Sequence, residues 1–153
     1  MSRNIRTLTM IIAVIPVACG GSSSTSPAPS NALAVAGTYP TRATVIAERN
    51  TCGNVTVQDN PTTVTHTPGA TGLSLAHAGS TYHGTIDTSG RFSTPAANFS
   101  FPDADYSISL SGQFSTTGFT ATVELAKRAG GTTCTYAVGW VGTKQGAPNT
   151  IPG

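Results

Sequence analysis

Charge is what this sequence has least of. Of its 153 residues, 8 are Lys or Arg and 6 are Asp or Glu, 9% together, where an average chain carries about 25%. The balance of +2 comes from Arg3 and Arg6. Beyond them Arg42, Arg49, Arg91, Lys127, Arg128 and Lys144 are matched by Glu48, Asp59, Asp87, Asp103, Asp105 and Glu124. A neutral domain has no basic stripe with which to neutralise phosphates, which excludes nucleic-acid binding by charge. Cysteine is scarce too, at 3, with no Cys-x-x-Cys and no His within four residues of Cys52 or Cys134, so the spacing of a zinc site is absent. Nor does any Gly-x-Ser-x-Gly occur, and no Ser stands in a recognisable order with a His and a carboxylate, which argues against a hydrolase. The chain therefore reads as a non-enzyme without cofactor or metal.

What fills the space is 26 Thr, 15 Ser and 17 Gly. Thr favours strands, Gly favours turns, and long Ala/Glu/Lys/Leu blocks of helical period are missing. That composition excludes a helical bundle, a coiled coil and an α/β dinucleotide fold. The length suits a single domain.

The N-terminus is of another kind. Met1 to Arg6 is short and positive, Leu8 to Val17 is an apolar run, and Ala18, Cys19 and Gly20 follow. Such a run is a secretory signal, too short for a spanning helix, which needs about 20 apolar residues. Ile15-Pro16-Val17-Ala18-Cys19-Gly20 resembles the lipobox of bacterial lipoproteins, with Pro16 where Leu is usual. The resemblance implies that residues 1–18 are removed and that Cys19 is acylated, its lipid holding the protein in a membrane. Gly20 rather than Asp after the Cys implies the outer membrane of a two-membrane cell envelope. Ordinary cleavage after Gly20, releasing a soluble protein, is the alternative. Residues 19–34, rich in Gly, Ser and Pro, read as a flexible tether.

Two cysteines then remain in an oxidising compartment, and Cys52 and Cys134 should pair. From Val35 onward short alternating stretches separated by turn signals give an all-β pattern. Tyr106, Ile108, Leu110 and Phe114 share one face, and Phe119, Ala121, Val123 and Leu125 resume it after the turn Ser115-Thr116-Thr117-Gly118. Asp87-Thr88-Ser89-Gly90 makes a second turn, and Cys134, Tyr136, Val138 and Trp140 lie on one face of the last strand. Consecutive short hairpins with one buried face predict a single antiparallel up-and-down meander closed as a barrel over residues 35–145, with 146–153 as a disordered tail. Nine strand candidates can be counted, at 35–48, 53–59, 62–67, 72–77, 80–87, 91–99, 105–115, 119–127 and 132–142. A disulfide between the first and last strands requires them to be antiparallel, hence an even number. Eight are expected, with the surplus placed in the weak pair 62–67 and 72–77. Gly37-Thr38-Tyr39, with Tyr39 at a Trp position, looks like the first strand of the lipocalin and calycin group. Gly84 to Phe92 and Trp140 to Thr143 resemble small barrel domains of uncharacterised bacterial lipoproteins.

If Gly79 and Ser80 form a turn, His77 pairs with Tyr82 and faces inward with Leu73 and Leu75, while His83 faces out. His66, His77 and His83 then share no metal site. Asp103-Ala104-Asp105 imitates a calcium loop, but Ile108 stands where Gly is required, and it reads as a turn. Most aromatic residues lie on inner faces, where core packing is the ordinary role. Gly84, Gly112 and Ala121 leave room inside, and Tyr82, His77, Tyr106, Tyr136 and Trp140 are the candidates to line a ligand cavity. Two functions fit. One is a tethered module binding a small apolar ligand. The other is a structural or interaction lipoprotein of the envelope, or an inhibitor, with a filled core.

Overall fold

Alternating Thr, Val and aromatic residues draw the chain into extended segments, and Gly, Asp and Pro break it at short intervals. The computed structural model describes residues 32–153, so the signal, Cys19 and most of the tether lie outside the described residues. The strands are β1 (Gly37–Ile46), β2 (Asn60–His66), β3 (Gly72–His77), β4 (Ser80–Ile86) and β5 (Arg91–Ser93). They continue with β6 (Ala97–Ser100), β7 (Asp105–Ser115), β8 (Gly118–Ala129) and β9 (Thr132–Thr143). All pairings are antiparallel, each strand beside its chain neighbours except around β5 and β6, and the first and last strands join from Thr41↔Gly142 to Ile46↔Ala137.

The barrel has eight staves, not nine. Strands β5 and β6 are two halves of one stave, because both pair with β7, at Ser111–Gln113 and at Asp105–Ile108 respectively. Pro95 lies between them and has no N–H to donate. Thr94 covers part of the break, its N–H donating to Leu110 O at 2.8 Å and its Oγ1 accepting from Leu110 N at 3.0 Å. Beyond Pro95 no ladder links β6 to β4, whose pairing with β5 stops at Thr85 and Ile86.

The expected count of eight holds, but its surplus was misplaced. Residues 62–67 and 72–77 fall on true strands, β2 and β3, whereas 53–59 is a loop. The physical reason is a lack of free edges, since β1 already pairs with β2 and β9. Asp59 also diverts the chain, its Oδ1 accepting the Ala43 N–H at 2.8 Å, just past the last β1–β2 pair, Thr41↔Asn60. The His77 register differs too. The turn is Ala78-Gly79, with φ of 48° and 81°, and His77 pairs with Ser80 while Tyr82 pairs with Leu75. Two left-handed residues make the turn that matches strand twist, which puts the break one residue earlier than expected.

One end of the barrel is plugged. Tyr39, Phe92, Phe114 and Phe119 interlock there with ring centroids 5.0–6.2 Å apart, each such pair contributing about 0.5–1.5 kcal/mol beyond its buried area. Two glycines make the space. A Cβ on Gly112 would stand 2.7 Å from the Phe92 ring, and one on Gly142 2.2 Å from Phe119. The room expected at Gly112 is thus filled. Residues 146–153, expected as a tail without structure, contribute to this plug. Thr150 bridges to Ala34 and Asn149 is buried, with the Tyr39 hydroxyl 2.7 Å from its Oδ1 and 2.6 Å from Val35 O. Leu33 and Val35 are buried in the same core, so the domain begins before residue 35. A hidden Tyr hydroxyl needs a partner for its one proton, and both ends of the described domain present an acceptor for it.

At the other end Cys52 and Cys134 are bonded, with Cα atoms 5.1 Å apart. Past Ile46 the chain leaves the ladder as a single 3-10 turn, Ala47–Arg49, and Arg49 reaches Glu124 at 2.5 Å across the outer face. It returns at Thr51, which exchanges two hydrogen bonds of 2.8 Å with Thr135. The disulfide fixes that return.

Candidate functional site

The unplugged half of the lumen holds a pocket of about 200 Å³. Alternation along the strands aims Ile108 of β7, Val123 and Leu125 of β8, and Tyr136, Val138 and Trp140 of β9 into it, opposite His77 and Tyr82. From the 53–59 loop Val57 and Gln58 also line it. Phe99 of β6 meets Tyr82 edge-on, with centroids 6.1 Å apart, across the gap where β4 and β6 are unpaired.

His77 is held on two sides. Its ring stacks on Trp140, with centroids 4.0 Å apart and planes at 30°. Its Nδ1 lies 2.9 Å from Thr62 Oγ1, itself 2.8 Å from Thr41 Oγ1. The two-residue turn fixes the His77 backbone, and β2 and β1 present both threonines inward because each alternates with outward neighbours.

Electrostatically the pocket is quiet. Burial pushes the His77 pKa down, favouring the neutral imidazole. Burial also pushes Tyr82 up, opposed by its hydrogen bond with Ser80, and pushes Tyr136 up, helped by the neighbouring Tyr106. These phenols stay protonated at neutral pH. The pocket can therefore offer aromatic faces, aliphatic walls, one imidazole and the amides of Gln58 and Asn60, a surface suited to a flat and mainly apolar molecule.

Four of the five candidates from the sequence, His77, Tyr82, Tyr136 and Trp140, come together in this pocket. Tyr106 does not. It lies farther out on β7 and lines rim hollows with Lys127, whose Nζ is 5.7 Å from the Tyr106 ring centre. One hollow, about 350 Å³, abuts the disulfide and shares Tyr136 with the pocket. Val57, Asn60, Ile108 and Leu125 were not singled out from the sequence. Ile108 and Leu125 were on the inferred inner face, but alternation gives the face and not the height along the barrel. His83 faces outward, its Nδ1 2.8 Å from Ser74 Oγ, and His66 donates from Nε2 to Ala70 O at 2.9 Å. Asp103 and Ala104 lie in the β6–β7 turn, where Phe101 and Ala104 exchange backbone hydrogen bonds. Among the described residues no three His, Cys, Asp or Glu side chains come together to hold a metal.

Fold and site together define an antiparallel eight-stave meander barrel, consistent with a lipocalin-like barrel and compatible with a ligand-binding module. No family model, no curated protein and no solved structure matches the chain.

Proposed function

We propose that this protein is an exported lipoprotein of the bacterial envelope, tethered through acylated Cys19 to the outer membrane, whose barrel binds a small apolar ring compound without transforming it. One observation carries the binding: the plugged half of the barrel is filled by the interlocked rings of Tyr39, Phe92, Phe114 and Phe119, while the mouth half keeps a pocket of about 200 Å³ walled by Trp140, Tyr82, Ile108 and Leu125. A barrel acting only through its outer surface has no use for that asymmetry. The volume sets the size of the guest, because a dry cavity of about 150 Å³ accepts benzene. One ring or two fused rings fit.

Support for the tether is the order of n-region, apolar run and Ala18-Cys19. Two measurements test the reading. A Cys19→Ala variant should move from the membrane to the soluble fraction, and identical partitioning of variant and wild type refutes the anchor. Native mass spectrometry of that soluble variant should show a copurified adduct or uptake from a panel of one- and two-ring compounds. A protein that takes up none of them is the filled, interacting lipoprotein instead.

A further inference from the structure

We propose that the mouth pocket selects ring compounds bearing an O–H or N–H, and that Nε2 of His77 accepts that hydrogen. The inference rests on the pocket being a ligand site, and it comes from counting protons in a buried chain of contacts. Thr41 Oγ1 lies 2.8 Å from Tyr39 O, Thr62 Oγ1 lies 2.8 Å from Thr41 Oγ1, and His77 Nδ1 lies 2.9 Å from Thr62 Oγ1. These are three contacts, and the two hydroxyls supply two protons. Thr41 must donate to the Tyr39 carbonyl, which has no proton to give. Thr62 must then donate to Thr41, and the third proton can come only from Nδ1 of His77.

The opposite tautomer leaves one of the three pairs as two bare acceptors at hydrogen-bond distance. Thr41, Thr62 and His77 are 3%, 0% and 8% exposed, so water cannot relieve that repulsion, and an unmade buried hydrogen bond costs about 1–3 kcal/mol. With the proton fixed on Nδ1 and the ring neutral, Nε2 carries a bare lone pair. Among the described residues no donor meets it. Nor is it sealed off, because the only buried side-chain polar atom without a partner there is His66 Nδ1. Nε2 is therefore the open polar atom of a residue that is more than nine-tenths buried and lines the pocket.

The selectivity follows from that atom. A guest with a hydroxyl or ring N–H satisfies Nε2, whereas a hydrocarbon of the same shape displaces water from it and leaves it unpaired. Carboxylates are disfavoured, since two bare acceptors would face each other and no cation lines the pocket.

The test uses the soluble Cys19→Ala chain, with p-cresol and p-xylene as a pair of one shape, differing by O–H against CH₃. Trp140 is the only tryptophan and stacks on His77, so its fluorescence reads binding in place. p-Cresol should bind about tenfold more tightly although it is the less hydrophobic of the two. A His77→Phe variant, which keeps a ring over Trp140, should erase or reverse that ratio while still binding p-xylene. Without ligand, long-range ¹H–¹⁵N correlation should show Nδ1 of His77 protonated and Nε2 not, and Thr62→Val should weaken that preference. A proton on Nε2 overturns the inference, as does tighter binding of p-xylene, though the pocket then stands as a ligand site. Failure of both probes to bind overturns the inference and the ligand-site reading together.

Discussion

Removing the Cys52–Cys134 bond by the double change Cys52→Ala, Cys134→Ala tests how the barrel seam is held. The bond closes a loop of 82 residues, for which chain entropy gives about 4.5 kcal/mol at 25 °C, against a usual measured effect of about 2–4. Folded-state losses should be small. Both cysteines are half-buried, and the hydrogen bonds between Thr51 and Thr135 hold the same two segments together without sulfur. The loss therefore acts through the unfolded chain, which becomes freer and more expanded. Urea denaturation followed by Trp140 fluorescence should show a stability lower by about 2–4.5 kcal/mol and a steeper denaturant dependence, because more surface is exposed on unfolding. The slower rate should be that of folding, with unfolding little changed. A loss below about 1 kcal/mol, or an unchanged slope with faster unfolding, refutes the reasoning and makes the bond a local staple of the 53–59 loop.

Gly112→Ala places a methyl 2.3 Å from Thr120 O and 2.7 Å from the Phe92 ring, and such overpacking should cost about 1–3 kcal/mol by thermal or urea denaturation. Tyr39 is buried and its pKa is pushed from 10.0 up to about 12, so the folded state resists ionising it. That stability is complete below pH 10 and is lost as pH rises toward 12, by roughly 3 kcal/mol in all. Tyr39→Phe should flatten the alkaline limb of the stability curve. Ala78 has a φ of 48°, a conformation costing an ordinary L-residue about 1–2 kcal/mol. Ala78→Asn, completing the Asn-Gly pair favoured in such turns, should therefore raise stability by a similar amount, and no gain in melting temperature would count against the turn assignment.

Alternation made the barrel legible because each strand from β7 to β9 writes its buried face in large residues, as Leu110 and Phe114 do opposite Ser109 and Gln113. Parity of the two cysteines then supplied the even stave count. What alternation could not reveal was pairing partners. Val55-Thr56-Val57 has the same pattern as Val64-Thr65-His66, and only the absence of a vacant edge beside β1 makes the first a loop. The tail was misread for a related reason. Asn149 and Ile151 carry no periodic signal, and the buried Asn149 is met by the Tyr39 hydroxyl from 110 residues away in sequence. Of the site, the aromatic residues were visible, but the two threonines that set the His77 proton were indistinguishable among 26.

Pro95 gives the barrel a mechanical character that a continuous ring of ladders lacks. Over the plugged half, β5 clasps β4 to β7 and the circumference is hydrogen-bonded all the way round. Over the mouth half no ladder links β4 to β6, where Tyr82 and Phe99 meet edge-on, and the β1–β2 ladder also ends at Thr41↔Asn60. Outward strain at the mouth falls on these unladdered gaps, so the girth can change there without breaking a ladder. The amides of Ser80–His83 and Ala97–Ser100 that face the gap between β4 and β6 should exchange with solvent faster than those of β8, which is paired along its length on both sides.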